Sequence, residues 1–165
     1  QDYSVALTGS DVVTLSVDTV DLTVETLTGV DVISVATGEV ATTTVGQANG
    51  VTFAGAGHYA IDDSLFNVLD EADGGSAKLV GASLITVELD SNSEVVTLTG
   101  LTNSASPTAI DFADNAATLT LTELQMLQDY SVALTGSDVV TLNAADGDNY
   151  TGQDLTGVDR FVIHS

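Results

Sequence analysis

Apolar residues alternate with Thr, Ser or Asp along most of this chain, in short runs separated by Gly, Asn or Asp. VVTLSVD (12–18), VDLTVET (20–26), VDVISVA (30–36), ATTTVGQ (41–47), GVTFAGA (50–56), LITVELD (84–90), EVVTLTG (94–100), TAIDFAD (108–114) and ATLTLTE (117–123) all carry this period of two. It is the signature of a strand with one buried face. Many neighbouring runs are too close for helical crossovers of ordinary length. Two segments have helical periodicity instead. In DDSLFNVLDEADGG (62–75), Leu65, Val68 and Leu69 share a face, Asp62, Asp63 or Ser64 is available as N-cap, and Gly74 or Gly75 as the stop. In LTELQMLQ (121–128), Leu121, Leu124 and Leu127 share a face and Thr122 and Gln125 have capping-box spacing.

The letters also recur over a longer distance. QDYSVALTGSDVVTL stands at residues 1–15 and again, unchanged, at 128–142. Beyond it, LTGVDVISV (27–35) answers LTGVDRFVI (155–163), the offset having grown from 127 to 128 residues. Residues 1–38 and 128–165 therefore read as one duplicated module within a single β domain of residues 1–165, with a tandem period near 127 residues. The expected chain is a processed or excised piece of such an array.

Repetition argues for stacking. A unit that cannot bury its apolar face alone can lie on a like neighbour about 4.8 Å away. Hairpin sandwiches need tight two-residue turns, and Asn49-Gly50 is the one strong candidate. The predicted fold is mainly β, a parallel β-solenoid-like stack of short strands with one or two short helices. An immunoglobulin-like β-sandwich is the alternative.

Composition narrows the function. The chain has 24 Asp and Glu against Lys78 and Arg160, a net charge of −22. Two isolated cations cannot neutralise a run of phosphates, which excludes nucleic acid, and no basic segment is present to hold an anionic bilayer. No stretch approaches the ~18 consecutive apolar residues of a membrane span. Such acidity suits a cation-rich exterior, where salt or Ca²⁺ relieves self-repulsion. Scarce Lys and Arg leave trypsin-like proteases little to cut, and the expected location is extracellular or at the cell surface.

Candidate chemistry lies in the acidic turns. Asp146, Asp148 and Asn149 surround Gly147, and Asp90, Asn92 and Glu94 stand at alternate positions. Alternating oxygen donors on a turn are what Ca²⁺ requires. The same residues are also ordinary turn formers, and neither stretch completes an EF-hand loop. If Asp11, Asp18, Asp21, Glu25 and Asp31 stood at like positions of stacked strands they would repel, unless splayed to solvent or bridged by a cation. His58 and His164, far apart in a chain without Cys, make a poor zinc set and read as structural. No G-x-S-x-G elbow is present, and a polysaccharide-cleaving groove would want basic groups that this chain lacks. The chain is expected not to be an enzyme, with a polysaccharide-active β-solenoid as the catalytic alternative.

YSVALTGSDVVTL, DLTGVD and DNAATLTLTELQML resemble the Thr/Ala/Asp-rich repeats of very large secreted proteins of Gram-negative bacteria, the RTX-like adhesins and the surface-layer and biofilm proteins. The defining G-G-x-G-x-D nonapeptide is missing. The resemblance implies an extracellular, structural and often Ca²⁺-dependent role in adhesion or coat assembly. The expected function is a repeat segment that self-assembles into a filament or surface coat, its partner being itself or a tandem neighbour. A Ca²⁺-dependent adhesin stalk module, with a polysaccharide or cell-surface ligand, is the alternative.

Overall fold

A computed structural model of the chain describes residues 12–90, 92–101, 106–113, 116–136 and 139–164. Most of the alternating runs become strands, and the strands are short because Gly, Asn or Asp interrupts each run. β1 (Thr14–Val17), β2 (Val20–Asp21), β3 (Val32–Val35) and β4 (Val40–Thr43) come first. Thr44 then turns the chain into helix α1 (Val45–Gly50) through a reciprocal cap: its hydroxyl accepts from the Gln47 N–H at 3.2 Å, and Gln47 Oε1 accepts from the Thr44 N–H at 2.9 Å. β5 (Thr52–Gly55) and β6 (His58–Ser64) follow.

These six strands alternate between two parallel sheets. β1, β3 and β5 lie side by side in one, and β2, β4 and β6 in the other. The residue paired with Thr14 is Val32, and Val32 in turn pairs with Thr52, so each return to the first sheet takes 18 and then 20 residues. GAG before His58 is a tight crossing, as its glycines suggest. A Cβ on Gly55 or Gly57 would collide with the backbone of Val35 or Ala36, and Gly55 also has φ +90°.

After β6 the rhythm changes. Ser64 caps α2 (Leu65–Asp73), which ends at Gly74, and α3 (Ala77–Gly81) follows. β7 (Ile85–Glu88) joins β6 in parallel, and β8 (Ser93–Thr99) and β9 (Ala109–Phe112) then add antiparallel neighbours to the same sheet. β10 (Ala116–Thr120) leads into α4 (Leu121–Asp129), and β11 (Ala133–Thr135) pairs in parallel with β9. β12 (Val139–Ala144) and β13 (Arg160–Ile163) complete a third parallel sheet in the order β10-β12-β13.

Among the described residues, eight of ten strand pairs are parallel and two are antiparallel. The chain is thus mainly β, with parallel sheets and few short helices, and the described strands form no closed barrel. That pairing departs from the immunoglobulin-like alternative, whose sheets are antiparallel. Asn49-Gly50 makes no hairpin; it closes the last turn of α1.

The main core gathers under α2 and α4, where Leu65, Val68, Leu69, Leu124 and Leu127 meet Ile110, Phe112, Leu119 and Leu142. A smaller cluster of Leu22, Ile33, Val35, Ala41 and Val51 fills the space between the first two sheets.

Candidate functional site

The duplicated module is present twice in space as well as in sequence, over the part of it that is described. β1 aligns with residues 141–144 of β12, and β3 with β13. Their registers agree residue for residue: Thr14 pairs with Val32 and Leu15 with Ile33, as Thr141 pairs with Arg160 and Leu142 with Phe161. The same acid holds each rung to the next. Asp31 Oδ2 accepts from the Val13 N–H at 2.8 Å, and Asp159 Oδ2 accepts from the Val140 N–H at 3.0 Å. The backbone N–H of each aspartate returns a bond to the same partner's carbonyl, at 3.0 and 2.9 Å. Gly29 and Gly157, two residues before these acids, both have positive φ, +80° and +88°. Residues 1–11, including Asp11, lie outside the described residues.

What differs is the cover. In the first copy Ile33 and Val35 are buried, at 0% and 2% exposure, because β4, Val51 and β5 lie over them. At the equivalent positions of β13, Phe161 is 43% exposed and Ile163 76%. For the preceding strands the relation is reversed. Leu142 is fully buried between β10 and β13, while Leu15, the same letter of the same segment, is half-buried at the edge strand β1. Among the described residues, each copy thus lacks the neighbour that the other has.

Few cations serve these surfaces. Lys78 Nζ donates to the Val51 carbonyl at 2.7 Å and lies 5.4 Å from the centre of the Phe53 ring. Arg160 stands on exposed β13. Tyr150 packs edge-on against Phe161, with ring centres 4.8 Å apart, and its hydroxyl donates to Asp148 Oδ2 at 2.7 Å. Burial and that carboxylate push the Tyr150 phenol up to about 12.

The six candidate metal ligands fall in two turns. Asp148 Oδ2 also accepts from the Ala145 N–H at 2.8 Å, and Asn149 Oδ1 accepts from the Thr151 N–H at 3.0 Å, so both close the turn after β12. Asp146 is exposed in that turn, beside Gly147 at φ +94°. Asp90, Asn92 and Glu94 lie at the β7–β8 reversal. The Asp90 N–H donates to Glu123 Oε1 at 2.8 Å, Leu89 N–H donates to the Asn92 carbonyl at 2.8 Å, and the Asn92 amide donates to buried Glu94. Among the described residues no group of three or more His, Asp or Glu is arranged to hold a metal ion. His58 is exposed, and His164 lies 3.4 Å from Asn143 Oδ1.

Sequence reasoning passed over Asp31 and Asp159 as rung-to-rung acceptors. A usable signal was there: GVD survives in both copies while VISV becomes RFVI. Glu123 was passed over too. Its buried carboxylate accepts from the Thr120 N–H and hydroxyl, at 2.6 and 2.9 Å, as well as from Asp90. No helix among the described residues is long and apolar enough to cross a membrane. Comparison of the chain with protein-family models, curated proteins and solved structures finds no match.

Proposed function

We propose that this chain is a repeat segment of an extracellular structural protein, in which parallel strands stack as the rungs of a β-solenoid and successive modules lengthen the stack into a filament or surface coat. The observation that carries this reading is the shared register of β1–β3 and β12–β13, with the same aspartate bonding rung to rung. A segment whose pairing repeats in space can be extended by further copies through the same parallel strand-to-strand hydrogen bonding. With a charge of −22, copies repel in dilute buffer, so salt or Ca²⁺ acts as the counter-ion that lets them approach.

Electron microscopy and sedimentation of the purified chain, across a series of NaCl and CaCl₂ concentrations, test this. Ordered polymers of constant width are expected once the charge is screened. Monodisperse monomer at high protein concentration in every condition overturns assembly. If the melting temperature of that monomer also climbs with Ca²⁺, the adhesin stalk module takes its place.

A further inference from the structure

The geometry points to a specific joint: β13 of one copy pairs in parallel with β1 of a second copy, fusing the β10-β12-β13 and β1-β3-β5 sheets into one six-stranded sheet. This rests on the assembly reading above and names the surface that performs it.

Among the described residues both strands are edges, and their incompletely covered apolar residues are complementary in position. Within the chain, Leu119 pairs with Leu142 and Leu142 with Phe161; at the other end, Leu15 pairs with Ile33 and Ile33 with Phe53. Setting Phe161 opposite Leu15 of the second copy joins these two rows into one unbroken apolar column. The adjacent column joins as well: Ala144 and Ile163 on one side, Val17 and Val35 on the other. The joint places Arg160 opposite Thr14 and Val162 opposite Ser16. A register slip of one residue would turn Phe161 and Ile163 away from the column, because side chains alternate along a strand.

Direction agrees too. β1 to β3 and β12 to β13 advance the same way along the stack, so the bare edge of β13 faces onward and the bare edge of β1 faces back. The contact is heterologous and does not close on itself, the geometry of a filament.

The chain has no cysteine, so the joint can be read by cross-linking. Parallel neighbours stand about 4.8 Å apart, within the reach of a disulfide. Val162→Cys and Ser16→Cys are mixed under mild oxidant in the salt at which the unmodified chain assembles. A covalent dimer is expected only from the mixture, and a ladder of covalent multimers from the double variant. Val162→Cys mixed with Ala54→Cys, on the edge strand β5, should give at least tenfold less dimer. Ile163→Asp, at a side chain 76% exposed in the single chain, should abolish assembly with the melting temperature unchanged. Assembly that persists in this variant, or cross-links preferentially through Ala54, overturns this joint and leaves assembly standing. Absence of any assembly in the unmodified chain overturns both.

Discussion

Leu15 and Leu142 occupy the same position of the same fifteen-residue segment, pair forward with the same register, and still differ in environment. Leu142 is fully buried and Leu15 is not, because β10 covers one while, among the described residues, β1 is the edge of its sheet. One rung further the order reverses, with Ile33 sealed and Phe161 open. The local conformation is therefore a property of the segment, while its burial is a property of its neighbours. Burying a side chain such as Leu contributes about 1.5–3 kcal/mol relative to leaving it exposed. Most of the stability of a rung of this kind is thus conferred by whatever is stacked against it, which is the physical basis of repeat architectures.

The sharpest way to break the comparison is to truncate the same leucine twice. Leu142→Ala opens a cavity in the main core and should cost about 2–5 kcal/mol. Leu15→Ala, at an edge, should cost roughly 1 kcal/mol or less. Urea denaturation of the two variants measures both, and equal losses would mean that the copies share an environment after all. In filaments joined as inferred above, the Leu15 loss should grow toward that of Leu142.

A smaller effect separates the two aspartates. Asp159→Ala removes the acceptor of the part-buried Val140 N–H and should cost about 1–2 kcal/mol. Asp31→Ala frees a Val13 N–H that water reaches, and should cost less. The order of the two denaturation midpoints decides. A larger loss at Asp31 would show that the bond, not its burial, sets the effect.

The difference between conformation and burial also explains what the sequence disclosed. Period two marked nine of the strands directly, because alternation is a local property. The duplicated segment carries the same alternation into β12 and β13, although neither run was singled out as a strand. α2 was legible from Ser64 to Gly74, and α4 to within two residues, its cap being Thr120 with Glu123 rather than Thr122 with Gln125. Where tertiary contacts decide, the pattern misled. HYAIDDS lacks clean alternation because Ala60 and Ile61 are consecutive and both buried, and it became β6. TTTVGQ reads as strand throughout, yet Thr44 and Gln47 cap each other and start a helix, and Gln47 Nε2 then holds the Leu22 and Glu25 carbonyls at 2.6 and 2.8 Å. The acidic turns were legible as turns. That Asp148 would spend its carboxylate on Ala145 and Tyr150 depends on how the chain folds back after β12, which no local spacing records.

Acidity provides the gentlest test. Asp21 and Asp154 each begin an Asp-Leu-Thr turn, and each carboxylate accepts from the hydroxyl and the N–H of the threonine two residues on, at 2.7 and 2.9 Å for Thr23 and 2.6 and 2.9 Å for Thr156. Those bonds, the hydroxyl first, hold both acids below the ordinary carboxylate value. A folded-state value below the unfolded one adds stability above the unfolded range near 3.8, and that stability is lost as pH falls through the lower, folded value. Asp62 behaves oppositely. Burial foremost, then Glu88, Asp21 and Asp63, raise its value, and its Oδ1 has no hydrogen-bond partner among the described residues. The charged form therefore costs stability above the folded value, and the cost vanishes as pH falls below the unfolded one. Asp62→Asn should thus raise the denaturation midpoint at pH 7 and leave it unchanged near pH 3, whereas Thr23→Val and Thr156→Val should lower it slightly at pH 7 and converge on the parent only once pH has fallen below the lowered folded values. The two threonine variants should match each other, since both acids are exposed and held by the same turn. A clear gap between them would show that even this local device depends on the neighbours of the copy in which it sits.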